Sequence, residues 1–178
     1  MRDGACRRVA DWHKDNPNPM IPATGLGYAD AAAFVGWLRR QTGLAYRLPT
    51  GVEWEYADRA GAGGAFPWGD AITPGDANYD QTARYLGSPT APYRGYPEAV
   101  NAYAPNAFGL YQMNGNAWEW TADCADARCA AHLARGGSFE STPGELRAAN
   151  RFAVSDGRHR DDMGLRVVRD LRPDETAN

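Results

Sequence analysis

The densest chemistry in the sequence lies in Met113-Asn-Gly-Asn-Ala-Trp-Glu-Trp120. An Asn-Gly-Asn turn (Asn114, Gly115, Asn116) is followed by two tryptophans flanking a glutamate. In a strand, Trp118 and Trp120 would share one face and Glu119 would point to the other. A carboxylate beside an Asn-rich turn offers side-chain and backbone oxygens of the hard kind that hold calcium. The same string also reads as a plain turn entering a strand, and spacing leaves both readings open.

Three further groups invite a chemical reading. Arg135-Gly-Gly-Ser-Phe139 could bring backbone close to a ligand. It lacks the lysine and the following helix of a phosphate loop, and it is not a nucleophile elbow, so a bulged strand end also explains it. Arg147, Arg151, Arg158, Arg160, Arg166 and Arg169 crowd the last third of the chain. They form either a solvated face, partly balanced by Asp156, Asp161 and Asp162, or guanidinium forks for anions and carbonyls. Cys124 and Cys129, spaced C-x4-C, are either a disulfide or two free thiols. Cys6 stands apart, and His13, His132 and His159 are too scattered to suggest zinc.

Two helices are predicted to position this chemistry. Tyr28 to Thr42 places Ala31, Phe34, Val35 and Leu38 at helical steps. Asp30 lies in its first turn, Arg39 and Arg40 in its last, and Gly43 stops it. Thr50-Gly-Val-Glu53 is a capping box opening a second helix to about Arg59, with Trp54, Ala57 and Ala60 on one face. Gly61 to Asn106 carries no period and reads as a long loop. A loop of that length needs a function or a brace, for which a bound ion is one candidate. Strands are expected at Phe108–Thr121, Leu133–Phe139 and Leu165–Arg169. Two helices, an irregular middle and late strands make an α+β domain. Residues 1–22 form an irregular lead-in, 23–171 the domain and 172–178 a polar tail.

Composition narrows the class. The chain has 178 residues, enough for one domain with a real core, and a net charge of −3. That balance argues against a nucleic-acid partner. Glycine (20) and proline (12) far exceed average usage, and six tryptophans accompany them. Lys14 is the single lysine among 19 basic residues, a bias that fits a GC-rich bacterial genome. No 18-residue apolar run is present, so no membrane partner is expected, and Met1–Arg8 does not read as a signal peptide. As it stands the chain reads as cytoplasmic, or as extracytoplasmic if a leader precedes it.

Taken together, several strings resemble one family. Tyr46-Arg-Leu-Pro-Thr-Gly-Val-Glu-Trp-Glu-Tyr56, Pro67-Trp-Gly-Asp70, Ala77-Asn-Tyr79, Asn106-Ala-Phe-Gly-Leu-Tyr111, the Asn-Gly-Asn string, Arg135-Gly-Gly-Ser-Phe139, Leu146-Arg-Ala-Ala-Asn-Arg151 and Gly164-Leu-Arg-Val-Val168 occur in order. The chain resembles the formylglycine-generating enzyme (sulfatase-modifying factor) family over about residues 20 to 170. The resemblance implies a C-type-lectin-like fold with little regular structure. It also implies a longer N-terminal part than this chain carries, including a glycine-rich first strand.

Family enzymes convert a sulfatase cysteine to formylglycine with copper and oxygen, using two thiols just after the Gly-Gly-Ser-Phe string. Here Ser141 takes the first place, and no cysteine stands between it and Arg151. A hydroxyl does not replace a thiolate as a Cu(I) ligand, so copper and turnover are not expected. Ser138, Ser141 and Arg151 would be a remnant pocket. The resemblance puts a calcium ion on Asn114, Gly115, Ala117 and Glu119, and less securely a second on Asn78 and Tyr79, where Arg94 replaces an expected acid. Cys124 and Cys129 fall where relatives carry a structural pair. The resulting expectation is a non-catalytic module that presents residues 138–163 to a peptide, protein or small ligand, with Phe139, Glu140, Arg147, Phe152, Arg158 and His159 at the surface. The alternatives are a formylglycine-type oxidoreductase, or a retroelement-diversified binder whose variable run would be Phe152–His159.

Overall fold

The computed structural model of the chain describes residues 18–175. The first seventeen residues of the expected lead-in, with Cys6 and His13, lie outside them, as do the last three of the tail.

Helix α1 (Tyr28–Thr42) and helix α2 (Gly51–Arg59) form where periodicity and capping place them. The α1 start is fixed by Asp30, whose carboxylate accepts the Gly27 N–H at 3.1 Å. In α2 the reciprocal cap forms: Thr50 Oγ1 accepts the Glu53 N–H, and Glu53 Oε2 accepts the Thr50 N–H at 2.8 Å. The buried positions of α2 are Gly51, Trp54 and Asp58, so its inner face is partly polar, unlike the expected alanine stripe.

Six short strands follow: β1 (Tyr46–Arg47), β2 (Trp118–Cys124), β3 (Ala131–Arg135), β4 (Phe152–Ser155), β5 (Met163–Leu165) and β6 (Val168–Arg169). Four of them make a sheet in the order β4-β3-β2-β5, with β2 and β5 parallel and the other neighbours antiparallel. Strands β1 and β6 pair separately.

Period-two geometry sorts the side chains of β2. Trp118 and Trp120 join Ala31, Val35, Leu48, Ala134, Val154 and Met163 in the main core, against α1. Glu119 lies opposite Arg135 of β3 in register, and both reach Trp54 of α2. The sheet therefore has a dry face under α1 and a charged, buried face under α2.

All three expected strands differ from their patterns, and Phe108–Thr121 is strand only from Trp118, running on as β2 to Cys124. Leu133–Phe139 ends as a strand at Arg135, because Gly136 (φ 94°) and Gly137 (φ 77°) turn the chain away. Leu165–Arg169 divides between β5 and β6. The expected loop, Gly61 to Asn106, is irregular, and so is the stretch from there to Ala117. An apolar cluster of Phe66, Ile72, Ala77 and Tyr79, closed by Leu146 from the segment after β3, braces it. Asn106 adds a clasp: its amide donates to the Ala57 and Asp58 carbonyls, while its oxygen accepts the Phe108 and Leu110 N–H groups. Trp68 is only a partial anchor. It stacks on Phe66 yet stays 41% exposed.

Candidate functional site

The Asn-Gly-Asn string is buried at its centre. Asn114 donates to the Leu146 carbonyl at 2.8 Å and to Asp58 at 3.3 Å. Its own Oδ1, and Oδ1 of Asp58, are buried without a hydrogen-bond partner. Withdrawal from water, with the Glu119 charge nearby, pushes the Asp58 carboxyl up to about 7 against the opposing Asn114 hydrogen bond. Asn116 ties the string outward: its N–H donates to the Asn78 carbonyl, and its amide makes reciprocal bonds with the Glu98 backbone.

Asn78, Asn114 and Asn116, with Asp58 and Glu119, make a buried belt of amides and carboxylates, and Glu119 is its most heavily bonded acid. Trp54 Nε1 donates to Oε2 at 2.7 Å. Arg166 straddles both oxygens, with Nη2 on Oε1 at 2.8 Å and Nε on Oε2 at 3.0 Å. This is a forked charge-assisted pair with a buried carboxylate and a partly exposed guanidinium.

The orphaned Asn114 oxygen fits a hard cation, since a buried acceptor without a donor is what such an ion satisfies. Glu119 would share its charge with Arg166. The second place fits less well. Asn78 has an orphaned Oδ1. Its amide, however, donates to the Tyr96 carbonyl, and nearby Arg94 pairs with Glu98 and Tyr103. A guanidinium there supplies positive charge from within the chain. Burial and the adjacent Glu98 carboxylate hold the Tyr103 hydroxyl well above its ordinary range. The Tyr79 hydroxyl is buried and has no hydrogen-bond partner, and burial raises its pKa as well.

Ser138 and Ser141 lie side by side. Ser138 Oγ donates to Asp162 Oδ2 at 2.7 Å and lies 3.4 Å from Ser141 Oγ, which accepts the Ser138 N–H at 3.1 Å. Both serines and Asp162 are buried. Arg160 forks onto Asp162 at 2.9 Å to each oxygen and reaches Glu140 at 3.8 Å. Its guanidinium also sits 5.3 Å from the centre of the Phe152 ring. Sequence reading missed Asp162 and Arg160 as site members, counting Asp162 only as a charge balance. Burial distinguishes it from Asp161, and no pattern in the string encodes burial.

Two expected members are elsewhere. Arg151 is exposed and lines a separate cavity of about 450 Å³ with Arg59, Tyr85 and Arg147. Phe139 is 1% exposed and cannot belong to a ligand surface, because the Gly136-Gly137 turn carries it inward, where its N–H meets the Asn116 carbonyl. Glu140, Arg147, Arg158 and His159 are exposed and Phe152 is half-buried. Of the C-terminal arginines, Arg166 is a fork and Arg158 belongs to the solvated face. Cys124 and Cys129 form a disulfide with a Cα–Cα distance of 4.8 Å.

The sulfatase-modifying factor enzyme 1-like domain matches residues 2–171. The chain belongs to this family. Within it, the chain is 30% identical over 181 residues to a formylglycine-generating enzyme of Streptomyces coelicolor, covering 85% of this chain and 54% of that protein. It is 38% identical over 104 residues to a mouse protein named inactive C-alpha-formylglycine-generating enzyme 2, covering 57% of this chain and 32% of that one. The structure of PvdO from Pseudomonas aeruginosa superposes with a TM-score of 0.72 at 29% identity, over 86% of this chain and 63% of that one. The fold is therefore the C-type-lectin-like one of the family. This sulfatase-modifying factor domain spans about a third to a half of the curated relatives' length.

Proposed function

We propose that this domain is a non-catalytic binding module of the formylglycine-generating-enzyme fold, presenting the 138–163 face to a peptide. The observation that carries it is Ser141. A hydroxyl occupies the place of the first thiol, and it is tied into a buried Ser138–Asp162–Arg160 network. A hard oxygen in that place does not hold Cu(I), and without the metal there is no route to activate oxygen. Glu140 and Phe152 lie beside Arg160 of the network, and Arg158 and His159 are further exposed groups of the same segment, so residues 138–163 offer both charge signs and an aromatic platform suited to an extended peptide. That some relatives carry the word inactive in their names agrees with this reading.

Copper separates this reading from an oxidoreductase. The protein with its Cys124–Cys129 disulfide intact and Cys6→Ser, titrated with Cu(I) against a chromophoric chelator, is expected to take none. With oxygen and a cysteine-containing sulfatase peptide it is expected to leave the peptide mass unchanged. Aldehyde formation above the protein-free control would refute the proposal.

We also propose calcium at the first site, held by Asn114 Oδ1, backbone oxygens of Gly115 and Ala117, and Glu119 shared with Arg166. The ion would join the segment before β2 to the buried face of the sheet. At a calcium concentration about 100 times its Kd the ion adds about 2.7 kcal/mol. The expected rise in Tm is roughly 5–10 °C, reversed by a chelator. A Tm indifferent to both calcium and chelator would show that Arg166 alone neutralises Glu119.

A further inference from the structure

We infer that the tip of the β2–β3 hairpin is a redox-gated site for a thiophilic divalent cation such as zinc, made of Cys124, Cys129 and His132. Its three ligands lie outside residues 138–163, and the inference does not rest on the binding role proposed above. Among the described residues, the ligand atoms of these three lie within 4.8 Å of one another.

The backbone sets this up. A register irregularity between Trp120 and Cys124 lets Cys124 stand opposite His132 across the hairpin. Cys129 is held in the connecting loop at φ 53°, a conformation that costs a non-glycine residue energy. The loop keeps its shape through bonds other than the disulfide. Ala125 N–H donates to the Ala131 carbonyl at 2.8 Å, and Asp126 Oδ1 accepts the Arg128 N–H at 2.8 Å.

His132 is the informative member. Its ring is buried and stacks on Tyr28 with centroids 3.4 Å apart. Asp156 Oδ1 sits 2.7 Å from Nδ1, which places the ring proton on Nδ1. The Nε2 lone pair then points at Cys129 Sγ, 3.3 Å away. A disulfide sulfur carries no proton, so it has no hydrogen to offer Nε2 in the oxidised state. A tetrahedral zinc with S and N ligands has an S···N edge of about 3.6 Å, close to the spacing already present. The S···S edge is about 3.8 Å, so opening the bond and a small side-chain rotation complete the set. The carboxylate behind the histidine is the usual outer support of a zinc-bound imidazole. The fourth position is left to water.

The gating step balances simply. A dithiol reductant gives two electrons and two protons to the S–S bond and is itself oxidised to a disulfide, leaving two thiols. Zinc then displaces both thiol protons and binds two thiolates and the neutral imidazole.

The test uses the full chain with Cys6→Ser, which removes the remaining thiol. A phosphine reduces it anaerobically, taking up oxygen from water as the phosphine oxide. Cobalt(II) is then added, followed by zinc in competition with a chromophoric chelator. The expected result is one equivalent bound, with a thiolate-to-cobalt charge-transfer band. Affinity should exceed that of the oxidised protein roughly a hundredfold or more. Asp156→Asn, which keeps all three ligands, is expected to weaken zinc about 10–100-fold. His132→Ala should abolish the tetrahedral cobalt spectrum. Equal affinity in the oxidised and reduced proteins would overturn the proposal. So would unchanged binding in both variants, or a reduced chain that loses its near-ultraviolet circular dichroism and does not regain it with zinc.

Discussion

Arg135→Met is expected to destabilise the domain by about 3–5 kcal/mol, the cost of breaking a buried ion pair from one side. At about 2–4 °C per kcal/mol for a domain of this size, Tm should fall roughly 6–20 °C. Arg135 is fully buried. Its guanidinium donates to the Asn150 carbonyl, to the Gly51 carbonyl at 3.0 Å and to Glu55, and it lies 5.5 Å from the centre of the Trp54 ring. One side chain thus links β3, the start of α2 and the segment before β4. Methionine matches the stem but donates to neither carbonyl. Burial pushes the Glu55 carboxyl up, Arg135 and Arg59 together hold it below its ordinary value, and the variant leaves it only Arg59, at 2.9 Å. Arg135→Lys should not restore stability, because an ammonium cannot span three acceptors in a planar fork. Chemical denaturation with an unchanged m-value measures the loss, and a loss below about 1 kcal/mol would refute this account.

The helices were legible because their signals are local. Thr50 and Glu53 cap each other across three residues, and Asp30 meets its own helix start. Neither needs anything from the rest of the chain. The strands were less legible because their ends are decided elsewhere. Nothing within Leu133–Phe139 says that the chain turns at Gly136. The turn is needed because the Gly115 N–H donates to the Gly136 carbonyl at 2.8 Å, a contact between segments 21 positions apart.

The candidate site shows the same division. The alternation that puts Trp118 and Trp120 on one face and Glu119 on the other is a property of β2 alone, and it was readable. The partners of Glu119 were not, since Trp54 and Arg166 arrive from α2 and from the segment after β5. Nothing in the sequence sets Asp58 apart. It is buried where Asn106 and Asn114 close over the end of α2. Phe139 erred the other way. An aromatic beside serines suggested a contact surface, and its burial follows from a turn two residues earlier. His132 looked isolated in sequence because its partners lie on a facing strand end, a hairpin loop and the end of β4.

Gly115 tests how strictly the belt is assembled. It has φ 81°, and a Cβ there would strike the Asn78 carbonyl oxygen. That oxygen cannot step aside freely, because it accepts the Asn116 N–H at 2.8 Å and so holds the middle segment to β2. Gly115→Ala therefore faces two costs: about 1–2 kcal/mol for the left-handed backbone and about 1–3 kcal/mol for the overpacking. The expected loss is about 2–5 kcal/mol. Gly43→Ala is the control. Gly43 has a similar φ of 68° and nothing within 4 Å of the added carbon, so only the backbone cost of about 1–2 kcal/mol applies. The difference between the two variants isolates the steric contact from the conformational one. Hydrogen exchange locates it, because Gly115→Ala should speed exchange at the Asn116 amide while Gly43→Ala leaves it unchanged. If the two variants lose equal stability, the Asn78 segment moves independently of β2, and the buried amide belt is not the joint that holds the irregular middle of this fold.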